Sequence, residues 1–201
     1  MFDTMTKSYT TLVLFFCFLY LNSNAQEQNK LKISFGGGYG YYINTFTNVS
    51  GDNLMPYQPF LSTKLYWQTE YRLRIGIRTG YSRIYSVSRV QTDDISVRLQ
   101  ANLDVIPIFI SISMSLFKNF EATFSSGYAF MIYSIKTGRK KTSSITGSAL
   151  SKYNFAVGIQ YNIPIGKRFD ITPSVEYLYI GKTFDNQIYT SLNLSYRIFS
   201  W

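Results

Sequence analysis

The chain has 201 residues, with 20 basic and 11 acidic side chains for a net charge of +9, and it is rich in tyrosine (18) and phenylalanine (16). It contains no histidine and a single cysteine, Cys17. Histidine-based acid–base chemistry, disulfides and thiolate or imidazole metal clusters are therefore excluded as the basis of its function. An exported basic chain has little occasion to meet nucleic acid, so anionic lipid head groups are the better expected partner.

The first 25 residues read as a cleaved signal peptide. Lys7 supplies a basic start, residues 11–21 form a short apolar run, and Ser23-Asn24-Ala25 is a small-residue cleavage site. Gln26 is the expected mature N-terminus, and residues 26–201 form one domain. Cys17 lies in the leader, so the mature chain has no cysteine, and its net charge stays at +9 because Lys7 and Asp3 leave together. No later stretch resembles a membrane helix. A membrane location therefore requires a closed barrel.

Eight segments alternate with a period of two, which places each set of side chains on its own face of a strand. In residues 31–43, Leu31, Ile33, Phe35, Tyr39 and Tyr41 oppose Lys32, Ser34, Gly36, Gly38 and Gly40. No helix pattern follows these glycines, so they are not a phosphate loop. They suit the inner face of a narrow barrel. In residues 57–67, Leu61, Leu65 and Trp67 oppose Phe60, Ser62, Lys64 and Tyr66. In residues 71–85, Leu73, Ile75 and Ile77 oppose Arg72, Arg74 and Arg78.

The fourth segment begins near Ile95 with its apolar residues at odd positions. After Pro107 they move to Ile108, Ile110 and Ile112. A bulge at or near Pro107 accounts for the slip, since proline cannot donate to a ladder. The other reading is a strand that is apolar on both sides. Residues 120–135 follow, with Phe124, Tyr128 and Phe130 outward. The hairpin of residues 152–181 turns at 164–168, and residues 187–201 close the series. At that end Phe199 and Trp201 share the phase of Arg197. Either a bulge intervenes, or Ile198 is the last lipid-facing position.

The connections at 68–70, 115–119 and 164–168 are short, whereas 44–56, 86–94, 136–149 and 181–186 read as longer polar loops. Long loops at one end and short turns at the other mark an outer-membrane barrel whose short turns face the periplasm. A strand of about 13 residues spans roughly 43 Å, and a tilt near 45° brings this to about 30 Å. Aromatic girdles are expected from Trp67, Tyr71, Phe117, Phe120 and Phe169 near the short turns. Tyr41, Tyr81, Tyr85, Tyr133, Tyr153 and Tyr179 would form the other girdle.

The fold class is therefore all-β, an eight-stranded antiparallel transmembrane barrel preceded by a signal peptide. On residues 31–201 the chain resembles the small eight-stranded outer-membrane β-barrel family of the OmpA/OmpX type, and more closely the porin-like (PorT-like) outer-membrane barrel domains. Leu103-Asp104-Val105-Ile106-Pro107-Ile108-Phe109, followed by Gly127-Tyr128, carries the closer likeness. The resemblance implies a location in a Gram-negative outer membrane, assembly by the barrel-assembly machinery, no cofactor, and no enzymatic activity.

The expected lumen network is Arg72, Arg74, Arg78, Arg98, Asp104, Glu121, Asp170, Glu176 and Arg197. Asp170 is expected beside Arg197, Arg78 beside Asp104, and Glu176 across the lumen from Arg78 or Arg98. An eight-stranded barrel is just wide enough for side chains to fill, so a self-neutralised plug is the leading reading. A narrow arginine-lined pore, or an accessory part of a secretion or assembly system, is the alternative. Lys136, Arg139, Lys140 and Lys141 form a basic run in the third long loop. They are either solvated or in contact with lipopolysaccharide phosphates. The sequence names no specific protein partner.

Overall fold

The computed structural model describes residues 29–43, 54–69, 72–93, 95–138 and 142–200. For residues 89–93, 95–99, 138, 142 and 143 it describes the backbone alone. The leader, Tyr71, loop residues 44–53 and Trp201 lie outside the described residues.

Ten strands run in chain order: β1 (Lys30–Ile43), β2 (Leu54–Met55), β3 (Tyr57–Gln68), β4 (Leu73–Asp93), β5 (Ile95–Phe117), β6 (Phe120–Gly138), β7 (Thr142–Tyr161), β8 (Ile163–Pro164), β9 (Phe169–Ile180) and β10 (Asp185–Ser200). The eight long ones form an antiparallel ring in the order β10, β1, β3, β4, β5, β6, β7, β9, and β9 pairs back to β10 to close it. The two-residue strands β2 and β8 add to β4 and β9.

The ring is inside-out relative to a soluble domain. Among the described residues, 26 polar or charged residues are buried against 12 apolar ones. Meanwhile Phe35, Leu61, Ile77, Ile110, Phe124, Val157, Val175 and Leu192 lie exposed on the outer wall. Aromatic contacts gather outside at the short-turn end, where Phe117 and Phe120 stack at 5.2 Å, Phe120 meets Tyr161 at 5.6 Å and Phe169 meets Tyr196 at 5.1 Å. Tyr41–Tyr57 and Phe155–Tyr179 contacts lie toward the opposite end. Tyr85 and Tyr133 do not join that girdle. They pack inward against the core.

Within the expected loops at 86–94 and 136–149, residues 86–93, 136–138 and 142–149 are strand. β4 and β5 remain paired as far as Asp93↔Ile95, and β6 and β7 as far as Gly138↔Thr142. The connection at 181–186 is likewise short, a turn ending before Asp185 with Phe184 at φ 57°. Strands β4 to β7 run 21, 23, 19 and 20 residues, against 12 for β3 and β9. Half of the wall therefore rises beyond the other half by about 10 residues, or roughly 30 Å of strand. It forms a protruding four-stranded sheet.

Pro107 does not bulge β5. It stays in register opposite Ala129 on β6. On the other side the ladder lapses beside it between Thr79↔Ile108 and Ser82↔Val105, then resumes unshifted. The shift lies on β4, where Ile84 is the extra residue between Arg83↔Asp104 and Tyr85↔Leu103. β5 keeps one phase throughout, and what changes is its surroundings. Up to Ile106 from the short-turn end, the outer positions are apolar and at least partly exposed. Beyond it they are Asp104 and Asn102, while Val105 and Leu103 point inward into an apolar cluster with Ile84 and Met131.

The C-terminal ambiguity resolves as a bulge. Leu31 pairs with Phe199 and Lys32 with Arg197, so Ile198 is the extra residue and Phe199 turns outward, 63% exposed.

Cross-linking tests the protruding sheet. Ile135 and Ile145 are directly opposed, so an Ile135→Cys/Ile145→Cys pair should oxidise to a disulfide. The Ile135→Cys/Thr146→Cys pair, on opposite faces, should not. Equal reaction of both pairs would restore a loop at 136–149.

Candidate functional site

The lumen is built from every second residue of the eight long strands, because alternation delivers one face of each strand inward. Its ion pairs are stacked along the barrel. Near the short-turn end, Lys32 Nζ donates to Asp170 Oδ2 at 2.5 Å. Beside it, Arg74 Nη1 lies 2.6 Å from Glu121 Oε1, and Arg74 Nε donates to Gln68. Gln160 Nε2 and Asn162 Nδ2 donate to the same carboxylate at 2.7 and 2.5 Å. The Arg74 guanidinium also lies over the Tyr66 ring.

At mid-barrel Glu176 is shared by two cations. Lys64 Nζ donates to Oε1 at 2.7 Å, and Arg78 Nη1 pairs with Oε2. Arg78 and Glu176 are only 2% and 3% exposed. Neighbouring β7 makes room for this carboxylate with Gly158. A Cβ there would come within 2.5 Å of Glu176 Cγ and 2.6 Å of the Val175 carbonyl oxygen.

Above this level the lumen turns apolar. Phe60 stacks on Tyr189 at 4.3 Å, and the Tyr189 hydroxyl donates to Ser82, which donates to Gln187. Leu103, Val105, Phe109, Met131, Leu178 and Ile180 are all buried with them. Tyr42 donates to Asp185 at 2.6 Å near the hairpin end. The polar lumen is thus closed toward the protruding sheet by a packed apolar layer.

Several expected partners differ. Asp104 does not face the lumen and does not meet Arg78. It lies on the outer face, where Arg83 Nε donates to Oδ1 at 2.7 Å and Nη2 to Oδ2, beside the Tyr81 hydroxyl. The reason is the unbroken phase of β5. Asp170 pairs with Lys32 and not with Arg197, because ring closure brings β1 against β10 at that level. Arg197 sits inward with its Nε buried and unpartnered among the described residues. Arg72 lies at the β3–β4 turn, outside the strands. The Arg98 side chain, Arg139, Lys140 and Lys141 lie outside what is described, and Lys136 is exposed.

Lys32, Lys64 and Arg83 were absent from the expected network. For the two lysines the signal was present, since each alternates with outward apolar residues.

No family model matches the chain, and no curated protein matches it in sequence. Solved structures do match. Ail, the attachment invasion locus protein of Yersinia pestis, superposes with a TM-score of 0.52 at 11% identity, covering 87% of this chain and 100% of that one. A major outer membrane protein from Thermus thermophilus gives 0.51 at 9% identity, covering 84% and 99%. The outer membrane protease OmpT of Escherichia coli gives 0.42 at 11% identity over 88% and 100%, an overlap too low to carry its activity across. The chain is a ring of eight strands with the fold of small outer-membrane β-barrel proteins.

Removing the shared carboxylate tests the network. Glu176→Ala leaves Lys64 and Arg78 buried without a counter-charge and should cost about 3–5 kcal/mol in urea unfolding of the lipid-reconstituted protein. Asp104→Asn, which touches only the half-exposed outer pair, should cost less than about 1 kcal/mol. Equal losses would contradict the assigned partners.

Proposed function

We propose that residues 1–25 export the chain and that residues 26–201 reside in a Gram-negative outer membrane as a non-enzymatic, non-conducting barrel. The barrel meets other macromolecules through its protruding sheet. The observation that carries this reading is the inversion of polarity along β4, β5 and β6. An outer wall of Ile75, Ile77, Ile108, Ile110, Ile112 and Phe124 is suited to lipid, and beyond Arg83 and Asp104 the same face carries Ser86, Asn102 and Ser134, a polar row hydrogen-bonded from strand to strand, with Ser86 and Asn102 buried. A charged pair beside a tyrosine hydroxyl belongs at the level of the head groups.

The plugged lumen favours a structural or interactive role over the arginine-lined pore, since Lys32, Lys64, Arg74 and Arg78 are held by carboxylates and one end is packed with apolar side chains. The interactive role draws on the edge of the protruding sheet. β7 pairs with β9 only from Asn154 to Gln160, so its edge over residues 142–153 has no strand beside it among the described residues. Residues 142–151 contain no charge and no proline. Those are the devices that natural edges use against strand addition, and an extended segment of a partner fits where they are missing. Lys136, with Arg139, Lys140 and Lys141 after it, supplies cations for lipopolysaccharide phosphates on the same projection. The barrel-assembly machinery would insert the chain.

Protease added to whole cells should cut at Arg139, Lys140 or Lys141 and spare Lys167 and Arg168, and the mature protein should begin at Gln26. In planar bilayers the purified protein should show no steady conductance. Anion-selective steps would instead favour the pore, and a soluble periplasmic product would overturn the assignment.

A further inference from the structure

The lumen contains more positive than negative charge. Lys32, Lys64, Arg74, Arg78 and Arg197 point inward, while Glu121, Asp170 and Glu176 are the carboxylates among them and Asp185 lies apart beside Tyr42. A buried charge without a counter-ion is costly. Between Lys64 and Arg74 the wall leaves a cavity of about 20 Å³, lined further by Ser111, Ser113, Thr123 and Ser125. That is room for one water-sized occupant. Gly76 keeps its floor open, since a Cβ there would come within 2.2 Å of the Leu65 carbonyl oxygen.

The charged groups of the lining are cations only, Lys64 and Arg74, and both have hydrogens to give. Lys64 donates one to Glu176 and retains two, and Arg74 Nη2 has no partner among the described residues. Ser111 and Ser125 share one hydrogen bond at 2.6 Å, which leaves one hydroxyl hydrogen free. The hydroxyls of Ser113 and Thr123 have no protein partner among the described residues, and both face the cavity. Gln160 Oε1 and the serine and threonine oxygens could accept from a water, but only an anion would also offset the excess of positive charge. We propose that this cavity is a binding site for a small monovalent anion of the halide type, which reduces the plug's excess of positive charge.

Crystals of the full mature protein grown in bromide should show an anomalous peak between Lys64 Nζ and the Arg74 guanidinium. In solution, melting in chloride should exceed melting in gluconate at equal ionic strength by a few degrees, as expected for a ligand that binds only the folded state. A Ser113→Ala/Thr123→Val double variant leaves every ion pair in place and should close that gap. A cavity holding only water in the bromide crystals, no gap in the wild type, or a gap undiminished in the variant would overturn the proposal.

Discussion

A backbone that crosses hydrocarbon must satisfy every N–H and C=O within the protein, because no water is there to do so. Closure of β10 onto both β1 and β9 meets this demand over the short half of the wall. The other features follow from it. A closed ring of eight strands has an outside that must match lipid and an inside only as wide as its side chains. Hence isoleucine, leucine and phenylalanine point out, and serine, asparagine and paired charges point in.

Filling a narrow lumen with charge is tolerable only when each charge finds a partner across it. Glu176 on β9 reaches Lys64 on β3 and Arg78 on β4, and Glu121 on β6 reaches Arg74 on β4. These pairs tie strands that are not neighbours in the sheet, so they add cross-barrel links to the ladder. The arrangement needs space as well as charge, and Gly158 supplies it beside Glu176. Toward the hairpin end, where the outer wall turns polar, the interior is apolar in the manner of a soluble protein.

Strand number, phase and the outward-facing apolar set were legible in the sequence because the outer wall and the lumen differ sharply in polarity, so a period of two survives in almost every segment. The same signal misled at Pro107. There the apolar residues move from odd to even positions without any change in the chain's phase, since the outer positions change between polar and apolar while the inner ones change the opposite way. Residues 86–93, 136–138 and 142–149 read as loops because the projecting sheet is polar on its outer face. Ion-pair partners were the least legible. Lys32 and Asp170 lie 138 positions apart and meet only once the ring has closed.

The central claim is that one continuous β5 passes from lipid into water with its even positions always outward. Nitroxide scanning of single-cysteine variants from Asn102 to Met114 in lipid, read by collisions with oxygen and with a water-soluble nickel complex, measures this directly. The account predicts oxygen-accessible even positions from 106 to 114 and protected odd ones. It also predicts a nickel-accessible position at 104. Lipid exposure that switches to odd positions on the far side of Pro107, or nickel access along the whole outer face, would contradict it.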